Sequence, residues 1–159
     1  MSPVTRHTRF TWLIAYWAPP VLWMLFISWM STPTFSSDNT SRIIEPILRY
    51  MHPSITDQEV KTYHAVIRKM AHCVEYFMLG MLLFRAFMAG SIARRIEKWA
   101  AYSFLAIVLY ASMDEIHQYF LPERTASLID VGIDALGGLL GLCSSVLRYL
   151  HRERRQSRF

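Results

Sequence analysis

Residues 99–124 read WAAYSFLAIVLYASMDEIHQYFLPER, an uncharged apolar run followed at once by a cluster of ionisable and amide side chains. With its flanks, the apolar run approaches the roughly 20 residues that a helix needs to cross a bilayer. Residues 114–124 then place carboxylates, an imidazole, a carboxamide and a guanidinium at the end of that helix. Each ionisable group at the centre of such a helix costs about 2.5–3.5 kcal/mol. A chain that keeps several of them together is therefore expected to use them.

Apolar residues occur in blocks along the rest of the chain. The 159 residues are 53% hydrophobic and 18% charged, and no charged residue occurs at 10–37, 99–113 or 135–147. A fourth block, residues 70–84, is broken only by His72 and Glu75. This pattern predicts an all-α fold, an integral membrane four-helix bundle that forms a single domain over residues 1–159. Its helices are predicted at about residues 10–30, 57–89, 97–119 and 127–149.

An amphipathic external helix is predicted between helices one and two, lying on the membrane or capping the bundle. Pro53 ends it, and Thr56 and Glu59 have the spacing of a capping box for helix two. The apolar residues of the external helix recur at helical intervals: Ile43, Ile44, Ile47, Leu48 and Met51.

The basic residues indicate the orientation of the bundle. The net charge is +5, and three basic segments precede helix one, separate helices two and three, and follow helix four. Four spans would put these segments on one side, which the positive-inside rule makes cytoplasmic together with both termini. The basic tail is interpreted as an anchor on anionic lipid rather than a nucleic-acid site. The residues are Arg6 and Arg9, then Arg94, Arg95 and Lys98, then Arg148, Arg152, Arg154, Arg155 and Arg158.

This topology brings polar residues of three helices to one depth. Helix three runs outward, so its polar end lies toward the outer face, while helices two and four enter from that face. Residues three or four apart share a face of a helix, and Gly137 and Gly141 permit close approach of another helix. The converging residues are Lys69, His72, Glu75 and Tyr76 on helix two, Asp114, Glu115, His117 and Gln118 on helix three, and Asp130 and Asp134 on helix four.

Several of these residues also have purely structural interpretations. His72 is compatible with a packed, hydrogen-bonded histidine, Lys69 with an interface anchor, and Asp130 with a cap on helix four. The whole cluster is compatible with an internal salt-bridge network that holds the bundle together. The combination of Asp114, Glu115, His117 and Asp134 favours a functional cluster, because Asp134 lies a turn deeper than a cap would.

The ordered motifs resemble the VanZ-like family of bacterial membrane proteins. They are Lys69-x-x-His72-x-x-x-Tyr76, the Asp114–Arg124 stretch, Asp130-x-x-x-Asp134, and Gly137 with Gly141. One departure is Asp134, where the family commonly has Asn. The resemblance implies a small bundle in the bacterial cytoplasmic (inner) membrane. The family's namesake is associated with antibiotic resistance, against the glycopeptide teicoplanin, so the resemblance points to the cell envelope more than to a reaction.

Three kinds of function fit the cluster, and whether the protein is an enzyme stays open. The first is catalysis on an anionic envelope lipid in the outer leaflet. The second is non-catalytic: a polar pocket that binds a lipid head group or a glycopeptide-related antibiotic, or that passes an ion, with transport calling for a homo-oligomer. The third is a structural partner of envelope machinery. The predicted catalytic residues are Asp114, Glu115, His117 and His72; the predicted ligand-binding residues are Lys69, Glu75, Tyr76, Gln118, Arg124, Asp130 and Asp134.

No cofactor is predicted from the sequence. Carboxylates with two histidines are able to hold a divalent metal, but the chain has no HExxH or comparably strict ligand motif. A metal therefore stays an alternative at this stage.

Overall fold

The computed structural model describes residues 4–32, 37–89, 95–121 and 127–156, and within them it contains five α-helices and no strand. This confirms the all-α prediction. The last helix continues several residues past its predicted end at 149, because the arginines and Glu153 that follow the apolar block are good helix formers in water. The helices are α1 (Val4–Met30), α2 (Ser37–Met51), α3 (Asp57–Ala89), α4 (Ile96–Tyr119) and α5 (Leu128–Gln156).

Among the described residues, three segments are long and apolar enough to cross a membrane: Thr11–Met30, Asp57–Ala89 and Leu128–Gln156. The sequence prediction had four spans, and α4 is the helix that is missing from this set. Asp114 and Glu115 lower the hydropathy of its last turns. Large apolar side chains such as Leu22, Leu25 and Leu147 are more than 60% exposed, a surface that suits lipid better than water.

Two helix starts are fixed by side-chain caps. The Thr56 N–H donates to Glu59 Oε2 at 2.8 Å, and the Glu59 N–H donates to Thr56 Oγ1 at 3.3 Å. The predicted capping box at the start of α3 is thus confirmed. At the start of α5, the Ile129 N–H donates to Ser127 Oγ at 3.2 Å. The cap is therefore Ser127, which leaves the Asp130 side chain available for another contact.

Glycines bring α3 and α5 into backbone contact. A Cβ atom added at Gly137 would overlap the Cys73 carbonyl, and one added at Gly141 would overlap the Phe77 carbonyl. Both pairs are 64 positions apart, from 73 to 137 and from 77 to 141, so the two helices run parallel in constant register. The prediction that these glycines admit a neighbouring helix is confirmed, and α3 is that helix.

The helix α1 runs antiparallel to α3. The Trp23 Nε1–H donates to the Glu75 carbonyl at 2.8 Å, whereas the earlier Trp17 packs edge-on against the later Phe87 with ring centroids 5.0 Å apart. The two contacts therefore run in opposite order along the two helices.

The helix α4 runs parallel to α1. Tyr110 Oη shares a hydrogen bond of 2.8 Å with Ser28 Oγ, and one turn later Asp114 accepts a hydrogen bond from Ser31. The helices α1 and α4 therefore run in one direction, and α3 and α5 run in the other. The helix α4 packs against both α3 and α5.

The apolar core lies where these helices meet, next to the polar cluster. Ile27, Tyr76, Leu79 and Ile107 are fully buried there, and Tyr76 packs against Tyr110 with ring centroids 6.1 Å apart. The core thus fixes the helices one turn from the acidic end of α4.

Replacing Gly141 by Ala is expected to destabilise the protein, because the new Cβ would meet the Phe77 backbone, which is unable to move aside. Overpacking of this kind costs about 1–3 kcal/mol. Gly132→Ala is the matched control, since a Cβ there meets nothing within 4 Å. Thermal unfolding in detergent should show a lower midpoint for Gly141→Ala and an equal or higher one for Gly132→Ala. Equal midpoints for Gly141→Ala and the unsubstituted protein would contradict the backbone contact.

Candidate functional site

Asp114 lies at the centre of the polar cluster. Its side chain is buried, and Oδ2 accepts hydrogen bonds from Ser31 Oγ at 2.9 Å and Gln118 Nε2 at 3.1 Å. Ser31 follows α1 directly, and Gln118 lies one turn further along α4. The carboxylate is therefore held in one orientation by donors from two elements, which is how buried charged groups are stabilised.

Two contacts join α3 to α5 at the same depth. His72 Nδ1 lies 3.7 Å from Asp134 Oδ1, and Lys69 Nζ donates to Asp130 Oδ1 at 2.8 Å. Asp134 is buried, whereas Lys69 and Asp130 lie partly exposed at the rim. The register set by the glycine contacts favours both pairs, because all four residues lie just before that contact. Lys69 and His72 precede Cys73 by four residues and one residue, and Asp130 and Asp134 precede Gly137 by seven and three.

Three further polar groups surround this pair of contacts. The Ser127 N–H donates to the buried Glu115 carboxylate, which ties the end of α4 to the start of α5. Glu75 is also buried. The Tyr76 side chain has no exposed surface, its hydroxyl has no hydrogen-bond partner among the described residues, and it lies within electrostatic reach of Asp114 and Asp134.

A small cavity opens among these residues. Its volume is about 20 Å³, enough for a water molecule or an ion. Lys69 lies at its rim with its partner Asp130, and the carboxylates of Glu115 and Asp134 are buried. The lining residues are Arg68, Lys69, His72, Glu115, Gln118, Asp130, Ile133 and Asp134.

A larger open groove, here called the vestibule, adjoins the cavity and shares Arg68, Lys69 and Asp130 with it. The vestibule has a volume of about 740 Å³ and lies between α2, α3 and the start of α5. Ligand sites commonly measure about 300–1,000 Å³. The vestibule is thus large enough for a small-molecule head group, and the cavity is its inner end.

His72, Asp114 and Asp134 form a group that is suited chemically to a cation. One side-chain ligand atom from each lies within 4.8 Å of the others. The three residues come from α3, α4 and α5, so only the assembled bundle creates the group. An imidazole with two carboxylates can also move protons or orient a nucleophile.

The structure separates one predicted site residue from the cluster. His117 is exposed and lies outside the cavity lining, because the buried stripe of α4 runs through Ala111, Asp114 and Gln118 and leaves position 117 at its side. The predicted shared inward face of Asp114 and His117 is therefore wrong. Arg124 lies outside the described residues.

Sequence reasoning missed Ser31 and Ser127, and it weighed Arg68, like Lys69, as either an interface anchor or a site residue. The signal for Ser31 was present, because it follows the outward end of helix one at the depth of the acidic cluster. In the sequence, Ser127 indicates only a helix boundary. The hydrogen bond from its backbone N–H to the Glu115 carboxylate has no signature in the sequence.

Comparison with known proteins identifies a matching family. The family model described as VanZ/LLP1 matches residues 16–149, a range that includes every residue of the cluster. No curated protein and no solved structure gives a significant match.

Ser31→Ala is expected to destabilise the protein, because the buried Asp114 carboxylate loses a donor. Hydrogen bonds to charged groups contribute about 1.5–3 kcal/mol. Ser103→Ala is the matched control: Ser103 is as fully buried as Ser31, but its hydroxyl donates to the Trp99 carbonyl of its own helix. The thermal unfolding midpoint should fall clearly for Ser31→Ala and little for Ser103→Ala. A fall of the same size in both would show that Asp114 gains nothing from Ser31.

Proposed function

The chain belongs to the VanZ/LLP1 family, and we propose that its polar cluster binds the anionic head group of a cell-envelope lipid in the outer leaflet. The observation that carries the proposal is the vestibule that narrows into the cavity, with Arg68 and Lys69 at the junction of the two. A phosphate at this junction would meet two cations. The lipid's acyl chains would remain against the apolar outer surface of the helices.

The charge distribution supports a directed entry of the head group. Arg49 and Lys61 line the vestibule with Arg68 and Lys69, and carboxylates on its walls hold Arg49 and Lys69 in place. Arg49, for example, contacts Glu45 at 2.9 Å and Asp57 at 2.5 Å. Such fixed cations attract phosphate as point charges and by hydrogen bonding.

The deeper residues give the site the means for chemistry. His72 beside the Asp134 carboxylate is a suitable general base, and Asp114 is oriented by two hydrogen bonds. A general base at this position would accept a proton from the part of the lipid head group that enters the cavity. Binding is the function that the geometry supports best. A reaction at His72 would be a further function of the same site, and it can be distinguished from binding by experiment.

We also propose that α4 crosses the membrane with α1, α3 and α5 as a four-helix bundle. Its 24 residues extend about 36 Å at 1.5 Å per residue, which exceeds the bilayer's hydrocarbon core of about 30 Å. It lies antiparallel to two candidate spans and parallel to the third, so it occupies the same thickness. This arrangement supports cytoplasmic termini in the bacterial inner membrane, with the basic end of α5 inside.

The external helix α2 fits a position on the outer face of the inner membrane. Ile43, Ile47, Tyr50 and Met51 are more than half exposed on one side, while Glu45 on the other side lines the vestibule. With the apolar side toward acyl chains, α2 would form one wall of the entry for a lipid head group.

Lipid binding is tested by mass spectrometry of the purified protein in detergent after incubation with a polyprenyl phosphate, phosphatidylglycerol or zwitterionic phosphatidylethanolamine. The two anionic lipids should remain bound, and Arg68→Gln and Lys69→Gln should each weaken this binding by about tenfold or more, which is about 1.4 kcal/mol. Arg148→Gln and Lys98→Gln are matched controls, because both cations are exposed and lie away from the vestibule.

The same spectra separate catalysis from binding. A change in the mass of the bound lipid that disappears in His72→Gln but persists in His117→Gln would establish a reaction at the cluster. Unaltered lipid that is lost only from the vestibule variants would establish binding alone. Equal retention in all variants, or retention of phosphatidylethanolamine as strong as that of the anionic lipids, would contradict the proposal.

The topology is tested with reporter fusions. A reporter that is active only in the cytoplasm should be active when fused after Gln156 and inactive when inserted at His52, in the turn between α2 and α3. The reverse pattern, or activity at both positions, would contradict the proposed orientation.

A further inference from the structure

We propose that His72, Asp114 and Asp134 bind one divalent transition-metal cation, of the zinc or manganese class. The set combines one imidazole nitrogen with two carboxylate oxygens. This donor chemistry suits transition metals better than magnesium or calcium, which prefer oxygen alone. Three protein ligands beside a small cavity resemble the open coordination of catalytic rather than structural zinc sites.

The distances are close to those that a bound metal requires. Ligand atoms about 2.0–2.2 Å from one metal lie at most about 4.4 Å apart. His72 Nδ1 and Asp134 Oδ1 are 3.7 Å apart, within this limit, and all three ligand atoms lie within 4.8 Å of one another. Side-chain adjustments of a few tenths of an ångström would close the set, and the neighbouring cavity of about 20 Å³ has room for a water ligand.

The local charge favours a cation at this point. Five carboxyl groups belong to the cluster: Glu75 on α3, Asp114 and Glu115 on α4, and Asp130 and Asp134 on α5. Asp114, Glu115, Glu75 and Asp134 are all buried. Burying like charges together is costly unless they are compensated. A divalent cation between Asp114 and Asp134 would neutralise both at once.

The surroundings of the ligands match those of known metal sites. Ligating carboxylates are usually held by hydrogen bonds from a second layer of residues. Asp114 has such support from Ser31 at 2.9 Å and Gln118 at 3.1 Å, from two different elements. The carboxylate is thus fixed before any ligand arrives.

An independent observation comes from Tyr76. Its side chain has no exposed surface, and its hydroxyl has no hydrogen-bond partner among the described residues. Tyr76 lies one turn after His72 on α3, and its ring packs against Tyr110, which lies one turn before Asp114 on α4. Buried hydroxyls normally have a partner. A water molecule in the coordination shell of the metal would provide one.

A cation here would also change how the cavity meets an anion. The deep carboxylates alone repel phosphate, whereas a bound metal would attract a phosphate that Arg68 and Lys69 hold at the rim. This role rests on the proposed lipid function, but binding of the metal itself does not.

The metal site is tested with protein that has been purified in detergent and freed of metal with a chelator. Titration with Co²⁺, Mn²⁺, Zn²⁺ and Mg²⁺ should give binding of about one transition ion per chain and much weaker binding of Mg²⁺. The Co²⁺ absorption spectrum should show nitrogen and oxygen coordination without thiolate, which separates this site from the nearby Cys73. Asp134→Asn and His72→Gln should each weaken binding by about 100-fold or more, and Tyr76→Phe by about tenfold.

The matched control is His151→Gln, an exposed histidine at the other end of α5, which should bind as the unsubstituted protein does. If Asp134→Asn fails to fold, His72→Gln decides the question, because that imidazole is partly exposed. Metal affinity that is absent, or that is unchanged in His72→Gln, would overturn the metal site. Metal binding without lipid binding would support the metal site and contradict the lipid function. Lipid binding without metal binding would support the lipid function and contradict the metal site.

Discussion

The backbone contact between α3 and α5 determines most of what else this protein can do. Gly137 and Gly141 lie against the carbonyls of Cys73 and Phe77, so the two helices have one register and little freedom to slide. That register places His72 opposite Asp134 and Lys69 opposite Asp130. A side chain at either glycine would push the helices apart and so disturb the pairs at the polar end.

The polar cluster and the apolar core depend on each other physically. Burying Asp114, Glu115 and Asp134 is unfavourable, and this is offset only where hydrogen bonds and opposite charges are already in position. The core formed by Tyr76, Ile107 and their neighbours holds the helices at the spacing that puts them there. Apolar packing thus holds these carboxylates close together, although repulsion between them alone would drive them apart.

Much of this arrangement can be predicted from the sequence, because the depth of a residue in a bilayer depends mainly on its position along its helix. Counting residues from each end of an apolar block placed His72, Asp114 and Asp134 at the same level, and the spacing of Gly137 and Gly141 indicated a close helix neighbour. Rotation about the helix axis was harder to predict. His117 and Asp114 are three residues apart, and only the packing of α4 decides which of them faces inward. Contacts through the backbone, such as that of Ser127 with Glu115, carry no residue signature at all.

The length of α3 has a mechanical consequence. Its 33 residues contain no proline and extend about 50 Å, so one stiff rod runs from the wall of the vestibule, past the cavity, to the opposite end of the molecule. There Arg85 lies over the Tyr16 ring at 5.2 Å, and Phe87 stacks on Trp99. If α3 rotates by about 5° about its end at the vestibule, its opposite end moves by about 4 Å. The residues beside the cavity and the aromatic cluster at the other end therefore belong to one continuous helix.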